Sequence, residues 1–380
     1  MAQSQRLFFL DLMRVIAMVM MIMGHSFFDL VRSNLVDVTQ FPWIIWEFLR
    51  GLTAPIFLVV SGIVQVFANK RVGGKLPKDI VFRRIRTALL LIFLAYFLNF
   101  PVQKAFHIFF QSKSLLVQFL QVNILQLIGV TLLWVLCYFL VTKDNRQLGV
   151  VALVTAVVIF ALTPIVHLID WYKFLPLPIA PYFSLAKGSY FTIFPFAGFL
   201  FFGVAFGTFL ERYALEERSD VIIKYGLKYG LVLLPIGTII YIAINYLNLP
   251  LYDVFKGNPG MAIIRLSCVG ILASVVVWLY KMYLHNLNWV KKLSLTLGKN
   301  ALFVYVVHLI ILYGLPWYPG FASMYYKSFG IAQAFIISVL IVFLSFTLVF
   351  VYEVETSKRR FVRLVFKYGT VSLLVLLVLV

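Results

Sequence analysis

The chain has 380 residues, of which 63% are hydrophobic and only 12% charged. That balance excludes a large soluble domain, whose surface demands far more polar side chains. The formal net charge is +19, yet the basic residues are spread over short loops and lack the aromatic-interleaved patch of a nucleic-acid binder, so no nucleic-acid partner is expected.

A helix needs about 20 apolar residues to cross roughly 30 Å of hydrocarbon. Runs of this kind recur at residues 7 to 28, 45 to 69, 85 to 101, 119 to 141, 148 to 169, 190 to 211, 226 to 247, 262 to 284, 300 to 317 and 331 to 352. A further apolar segment, 361 to 380, is long enough to cross but carries Arg363 and Lys367 in its first half. The expected fold class is therefore all-α, a polytopic transmembrane helix bundle of about 10 to 11 spans, with residues 1–380 read as a single domain. No small-residue cleavage site follows the first apolar run, which reads as a retained helix. Cys137 and Cys268 lie inside apolar runs and read as buried free thiols.

Alternate loops differ in basic content. The stretch after the second run carries Lys70, Arg71, Lys75, Lys78, Arg83, Arg84 and Arg86, and Lys291, Lys292 and "SKRRFVRLVFK" from residue 357 fall on the same side. The positive-inside rule makes that side cytoplasmic, together with the N-terminus, in a cell membrane of the bacterial inner-membrane type. The loops "FHIFFQSKS" and "DWYKFLPLPIAPYFSLAKGS" are aromatic and Pro-rich, which assigns them to the outside. Trp171, Tyr172, Trp317 and Tyr318 suit an interfacial aromatic belt, and membrane lipids are the expected surroundings.

The first run, "FLDLMRVIAMVMMIMGHSFFDLV", places Asp11, Arg14, His25 and Asp29 in otherwise apolar sequence. At about 100° per residue, Arg14 and His25 return to within roughly 20° of one face, about 16 Å apart along the axis. Asp11 stands one turn before Arg14, and Asp29 one turn after His25. A charge near the bilayer centre costs on the order of 3 kcal/mol, so such residues commonly mark a pathway or site. Two plainer accounts stand beside that one: Asp11 and Arg14 as a helix-packing ion pair, and His25 as an interfacial histidine.

Arg14 and His25, separated by ten residues and preceded by "LD", resemble the first-helix signature of the membrane acyltransferase superfamily, which includes acyltransferase family 3 and the heparan-α-glucosaminide N-acetyltransferase-like proteins. "GLTAPIFLVVSGIVQVF" (51 to 67) resembles the second helix with its Ser61–Gly62 pair. "NILQLIGVTLLWV" (123 to 135), "FPFAGFLFFGVAFG" (194 to 207) and "LGKNALFVYVVHLIILYG" (297 to 314) resemble later segments, in the family's order.

The resemblance implies acyl transfer, an acetyl-CoA-dependent O- or N-acetylation of a glycan or lipid-linked sugar. Acetyl-CoA would be the cytosolic donor substrate, with no permanently bound cofactor. His25 would be general base or nucleophile, Asp29 would orient it, and Arg14 would hold an anionic part of the donor or developing charge. Asp11, Glu47, Ser61, Gln126, Tyr305 and His308 are the expected substrate-lining residues. One departure stands out: the glucosaminide branch carries its catalytic histidine in the loop after the first helix, whereas residues 26 to 44 here contain none. His25 is left as the candidate, and heparan chemistry is not inferred.

Several of these residues also have plain structural readings. His308 on its own would be a satisfied core histidine. Glu47 and Arg50 fit a surface ion pair, and Asn99, Asn123 and Gln126 interhelical hydrogen bonding. The basic loop from Lys70 to Arg86 serves orientation and lipid headgroups, or the phosphates of CoA. His107, His167 and His285 show no metal-ligand spacing, and no metal is expected. Two other functions remain open: a transporter or flippase using Asp11, Arg14, His25 and Asp29 as a polar relay, and a scaffold without chemistry. The sequence leaves the oligomeric state open, a homo-oligomer included.

Overall fold

The computed structural model of the chain describes residues 8–100, 112–251, 253–315 and 318–358. In chain order its helices are α1 (Phe8–Leu30), α2 (Trp43–Arg50), α3 (Thr53–Ala68), α4 (Lys78–Leu98), α5 (Lys113–Phe119), α6 (Ile124–Val141), α7 (Asn145–Leu168), α8 (Ile193–Leu210), α9 (Arg218–Tyr246), α10 (Val254–Gly257), α11 (Pro259–Leu279), α12 (Asn288–Lys299), α13 (Ala301–Tyr313), α14 (Phe321–Met324) and α15 (Ile331–Lys358). Each of the apolar runs from 7 to 352 contains a helix, so the chain is an all-α, polytopic membrane protein.

Among the described residues, eight helical stretches are long and apolar enough to cross a membrane, and α12 with α13, bent by 74°, adds a ninth if counted as one span. The further helix, α4, carries Arg83, Arg84 and Arg86 in its first half. Other boundaries moved for local reasons. The run 45 to 69 breaks at Gly51–Leu52 into α2 and α3. The run 300 to 317 stops being helical at Tyr313, because Gly314 takes φ +77°, a left-handed value that suits glycine. Lys291 and Lys292, expected in a loop, lie inside α12. The segment 361 to 380, Trp317 and His107 lie outside the described residues.

The chain divides into two compact units. One comprises Ala54–Asn99 and Val117–Leu284. Within it α3 and α8 meet backbone to backbone: a Cβ on Gly62 would stand 2.0 Å from the Leu200 carbonyl, and one on Gly203 2.1 Å from that of Val59. Small residues at an interface let membrane helices approach this closely. α9 and α11 are stitched by the Ser267 hydroxyl, which donates to the Gly230 carbonyl at 2.5 Å, and by Ser274 to Ile222 at 3.1 Å. Two residues of the basic loop serve helix ends, whose last carbonyls lack intrahelical partners. Arg84 donates to the carbonyl of Ala68 at 3.1 Å, and Arg71 to that of Thr142 at 2.8 Å.

The other unit contains, among the described residues, 8–53, 100, 112–116, 285–315 and 318–358. Here α1 is surrounded by α12, α13 and α15. The bend between α12 and α13 is held to α15 by Glu353, which accepts from Lys299 and from the Asn300 amide, each at 2.8 Å. α2 lies on the end of α1 through Trp43 and Trp46, whose rings sit 5.6 and 5.4 Å from that of Phe27.

Candidate functional site

The C-terminal turn of α1 is fixed by a strand-like segment that follows α14. Arg32 N–H donates to the Phe329 carbonyl at 3.0 Å, Phe329 N–H to Leu30 at 2.9 Å, and Lys327 N–H to Asp29 at 2.8 Å. The Lys327 ammonium caps the Phe28 carbonyl and Arg32 Nε donates to Ser328 at 3.1 Å. These bonds satisfy carbonyls that a helix end leaves without partners. They also set the last turn of α1, and with it His25 and Asp29, at a defined rotation.

On that turn His25 is half-buried, and it faces His308 of α13, which is fully buried. His25 Nδ1 and His308 Nε2 are 3.4 Å apart, and the ring centroids 5.5 Å. His308 Nδ1 lies 3.1 Å from the carbonyl of Val304, one turn earlier on its own helix. A carbonyl can only accept, so Nδ1 of His308 carries the proton and its Nε2 is a lone pair in the neutral ring. That lone pair in turn favours a proton on His25 Nδ1. The neutral His25 ring then has its lone pair on Nε2, the nitrogen turned away from His308. Tyr305 packs edge-on against His308 at 5.4 Å.

Asp29 is not hydrogen-bonded to His25. Its carboxylate accepts from the Tyr313 hydroxyl at 2.6 Å, and the Tyr313 ring stands 6.4 Å from that of His25. Asp29 still acts on His25 as a nearby negative charge, and Arg50 as a nearby positive one. Arg50 comes from α2. Its guanidinium lies 4.4 Å over the Phe28 ring and 2.7 Å from the Glu47 carboxylate, and its stem crosses Gly24, where a Cβ would stand 2.8 Å from Cγ. The expected surface ion pair therefore exists, and it is laid on α1 one residue from His25. Beside it, the Trp46 indole N–H is buried without a hydrogen-bond partner among the described residues.

Arg14 and Asp11 form the other polar pair of α1, at 2.9 Å. Asp11 is 1% exposed and packs on Gly298 of α12, where a Cβ would be 2.5 Å from its Oδ1. Because α1 is one unbroken helix, Arg14 and His25 remain about 16 Å apart along it.

Two of the expected lining residues, Ser61 and Gln126, belong to the other unit. Gln126 is fully buried and closes the N-terminus of α6: its Oε1 accepts from the Asn123 N–H at 2.9 Å in a capping box. Asn123 and Asn99, expected to bond between helices, sit at helix ends as the N-cap of α6 and the C-cap of α4.

Sequence reasoning missed Tyr313 and the placement of Arg50 against α1. No spacing signals either one, since Tyr313 meets Asp29 across 284 positions of chain.

A bundle of apolar helices, with an imidazole pair and a neighbouring carboxylate near the end of α1, defines a polytopic membrane protein. The particular family follows from sequence: the family model for heparan-alpha-glucosaminide N-acetyltransferase, catalytic, matches residues 6–243. The match covers well over half of the chain, which therefore belongs to that family and is an enzyme of the acetyltransferase type. His25, Asp29, Arg14 and Arg50 lie within the matched residues, whereas His308 and Tyr313 lie beyond them. Comparison with individually curated proteins gave no match.

Proposed function

We propose that the protein transfers an acetyl group from acetyl-CoA to a hydroxyl or amine of a glycan or lipid-linked sugar, with His25 as the general base. The observation that carries this reading is the His25–His308 pair at 3.4 Å. His308, anchored to the Val304 carbonyl, presents an acceptor to His25 Nδ1, so His25 Nε2 is the nitrogen with a lone pair to take a proton. The separation is at the long end for a hydrogen bond, as is common in enzymes without substrate.

In the proposed reaction, His25 Nε2 removes the proton of the acceptor's O–H or N–H as that atom attacks the thioester carbonyl. The new C–O or C–N bond forms, the C–S bond breaks, and the imidazolium returns its proton to the CoA thiolate. While His25 is charged, the positive charge is shared toward His308 and offset by Asp29, which Tyr313 holds in place. Arg50 supplies positive charge next to the reacting centre, where a tetrahedral oxyanion develops. Arg14 binds an anionic part of the donor, about 16 Å along α1 from His25.

The family match supports acetyl transfer, and the name of the family supports an amino-sugar type of acceptor without fixing one. The absence of any histidine between residues 26 and 44 is the reason for assigning the base to His25. The charge bias of the loops supports a cytoplasmic N-terminus, which brings the donor in from the Arg14 half of α1 and the acceptor from the His25 end, in a cell membrane.

The test is release of CoA. Purified full-length protein given acetyl-CoA should release CoA only when a glycan or lipid-linked sugar acceptor is added, with one acetyl group appearing on the acceptor per CoA. A transporter using the same polar residues would move substrate across vesicles and release no CoA, and that result would overturn the proposal.

A further inference from the structure

The cations between Lys70 and Arg86 do not all serve one purpose. Arg71 and Arg84 are taken up by helix ends, through the carbonyls of Thr142 and Ala68. Arg83 and Arg86 are exposed, and neither guanidinium has a hydrogen-bond or ion-pair partner among the described residues. Asp79, one turn before Arg83 on α4, pairs with neither.

Helical periodicity explains the division. At about 100° per residue, Arg84 turns toward the side of Ala88, Leu91 and Ala95, which are the buried residues of α4. That side packs on α6, where Gly129 makes room for the Ala88 turn: a Cβ there would stand 2.8 Å from the Ala88 carbonyl oxygen. Phe82, Arg83, Arg86, Leu89, Leu90 and Phe93 fall within roughly 120° of the opposite side, and all are exposed. Along this stripe the character changes at Arg86. Before it stand guanidiniums, and after it only apolar side chains.

Phe82 shows which medium the guanidiniums meet. Its ring is 73% exposed beside Arg83, an arrangement suited to the headgroup layer of a bilayer, where aromatic rings and cations are both at home. Arg83 and Arg86, three residues apart, are neighbours on the helix surface. One phosphate can accept from both. Leu90 and Phe93 lie about 6 and 10 Å further along the axis than Arg86, within reach of the acyl chains of the same molecule.

We propose that this face of α4 binds an anionic phospholipid, with the phosphate between Arg83 and Arg86 and the acyl chains along Leu89, Leu90 and Phe93. Arg83, Arg84 and Arg86 bring three like charges into about one turn, and the lipid phosphate offsets them where no carboxylate of the described residues does. A water-soluble phosphate, that of CoA included, would make the charge contacts and leave the apolar half of the stripe unused. The site stands apart from His25 and does not depend on the acetyl-transfer reading.

The experiment reads lipid identity at α4 itself. In a Cys137→Ala, Cys268→Ala protein, a trifluoromethyl tag is attached at Leu90→Cys. The protein is placed in phosphatidylcholine nanodiscs doped with chain-spin-labelled phosphatidylglycerol or, separately, with the same amount of equally labelled phosphatidylcholine. Paramagnetic broadening of the fluorine signal should be at least about 5-fold greater with phosphatidylglycerol, the size of one cation's attraction to an anionic lipid surface. With the tag moved to Ile239→Cys, on an exposed apolar stretch of α9, the two lipids should broaden alike. Arg83→Gln with Arg86→Gln should bring the ratio at Leu90 down to that at Ile239 with the melting temperature unchanged. Arg86→Gln alone should lower it part of the way, and Arg83→Lys with Arg86→Lys should keep most of it. Equal broadening at Leu90 by the two lipids, or a ratio that survives both glutamine substitutions, overturns the proposal. Loss of the preference on adding CoA at constant ionic strength overturns it too, by making a soluble phosphate the occupant.

Discussion

His25 and His308, 283 positions apart in sequence, meet nitrogen to nitrogen at 3.4 Å, and the Val304 carbonyl fixes which of those nitrogens bears a proton. If that pair sets the tautomer of the base, His308→Phe should lower kcat on the order of 10²-fold, the usual contribution of general-base assistance. Donor affinity should stay unchanged. His308→Gln, whose amide oxygen can still accept from His25 Nδ1, should recover part of the loss. Steady-state kinetics with calorimetry for acetyl-CoA separates these terms, and equal losses in Phe and Gln variants would assign His308 to packing alone.

Tyr313→Phe removes the 2.6 Å hydrogen bond to Asp29 and leaves the ring in place. Tyr313 is exposed, so the expected cost in stability is modest, about 1 kcal/mol. The effect on kcat should be larger than that on stability, because a freed carboxylate no longer offsets the imidazolium from a fixed point. A thermal melt alongside the rate measurement checks this, and a variant with wild-type kcat would detach Asp29 from the reaction.

The long helices were legible in the sequence because an apolar run of about 20 residues is long enough to cross hydrocarbon as a helix, whereas the break of run 300 to 317 at Gly314 was not. The stripe of Arg14 and His25 was legible too, because both lie on one helix whose periodicity fixes their faces. The pairing with His308 was not: the resemblance named both residues, but contact between helices distant in sequence depends on packing that no local pattern encodes. Asp29 illustrates the same limit. Its spacing suggested a bond to His25, and the structure gives its bond to Tyr313 instead. The motif around Gln126 marks it as substrate-lining and the Asn123-x-x-Gln126 spacing marks it as a helix cap; the structure shows the cap, with its Oε1 accepting from the Asn123 N–H.

Gly24→Ala tests the placement of Arg50. A Cβ there would stand 2.8 Å from Arg50 Cγ and 3.1 Å from Cδ, so the guanidinium must leave its seat over Phe28. We expect a several-fold fall in kcat with unchanged affinity for acetyl-CoA, and a similar fall for Arg50→Met. Measured rates equal to wild type in both variants would exclude Arg50 from stabilising the reacting centre.

Gly298→Ala tests the seat of the other pair. Its Cβ would lie 2.5 Å from Asp11 Oδ1 and 2.6 Å from Asp11 Cβ, and a buried side chain cannot yield by that much without shifting α1 against α12. Overpacking of this kind costs roughly 1–3 kcal/mol. The expected readout is a lower melting temperature together with weaker acetyl-CoA binding, since Arg14 is held by Asp11. A fully stable variant with intact donor binding would contradict the close packing of α1 on α12.

The most direct test of the whole account is single-turnover acetyl transfer by His25→Asn. Asparagine preserves polarity and approximate size at the end of α1 but cannot take a proton from an acceptor. The account predicts that acceptor-dependent CoA release falls at least about 100-fold while acetyl-CoA still binds and the protein still melts at the wild-type temperature. Release at the wild-type rate would contradict it.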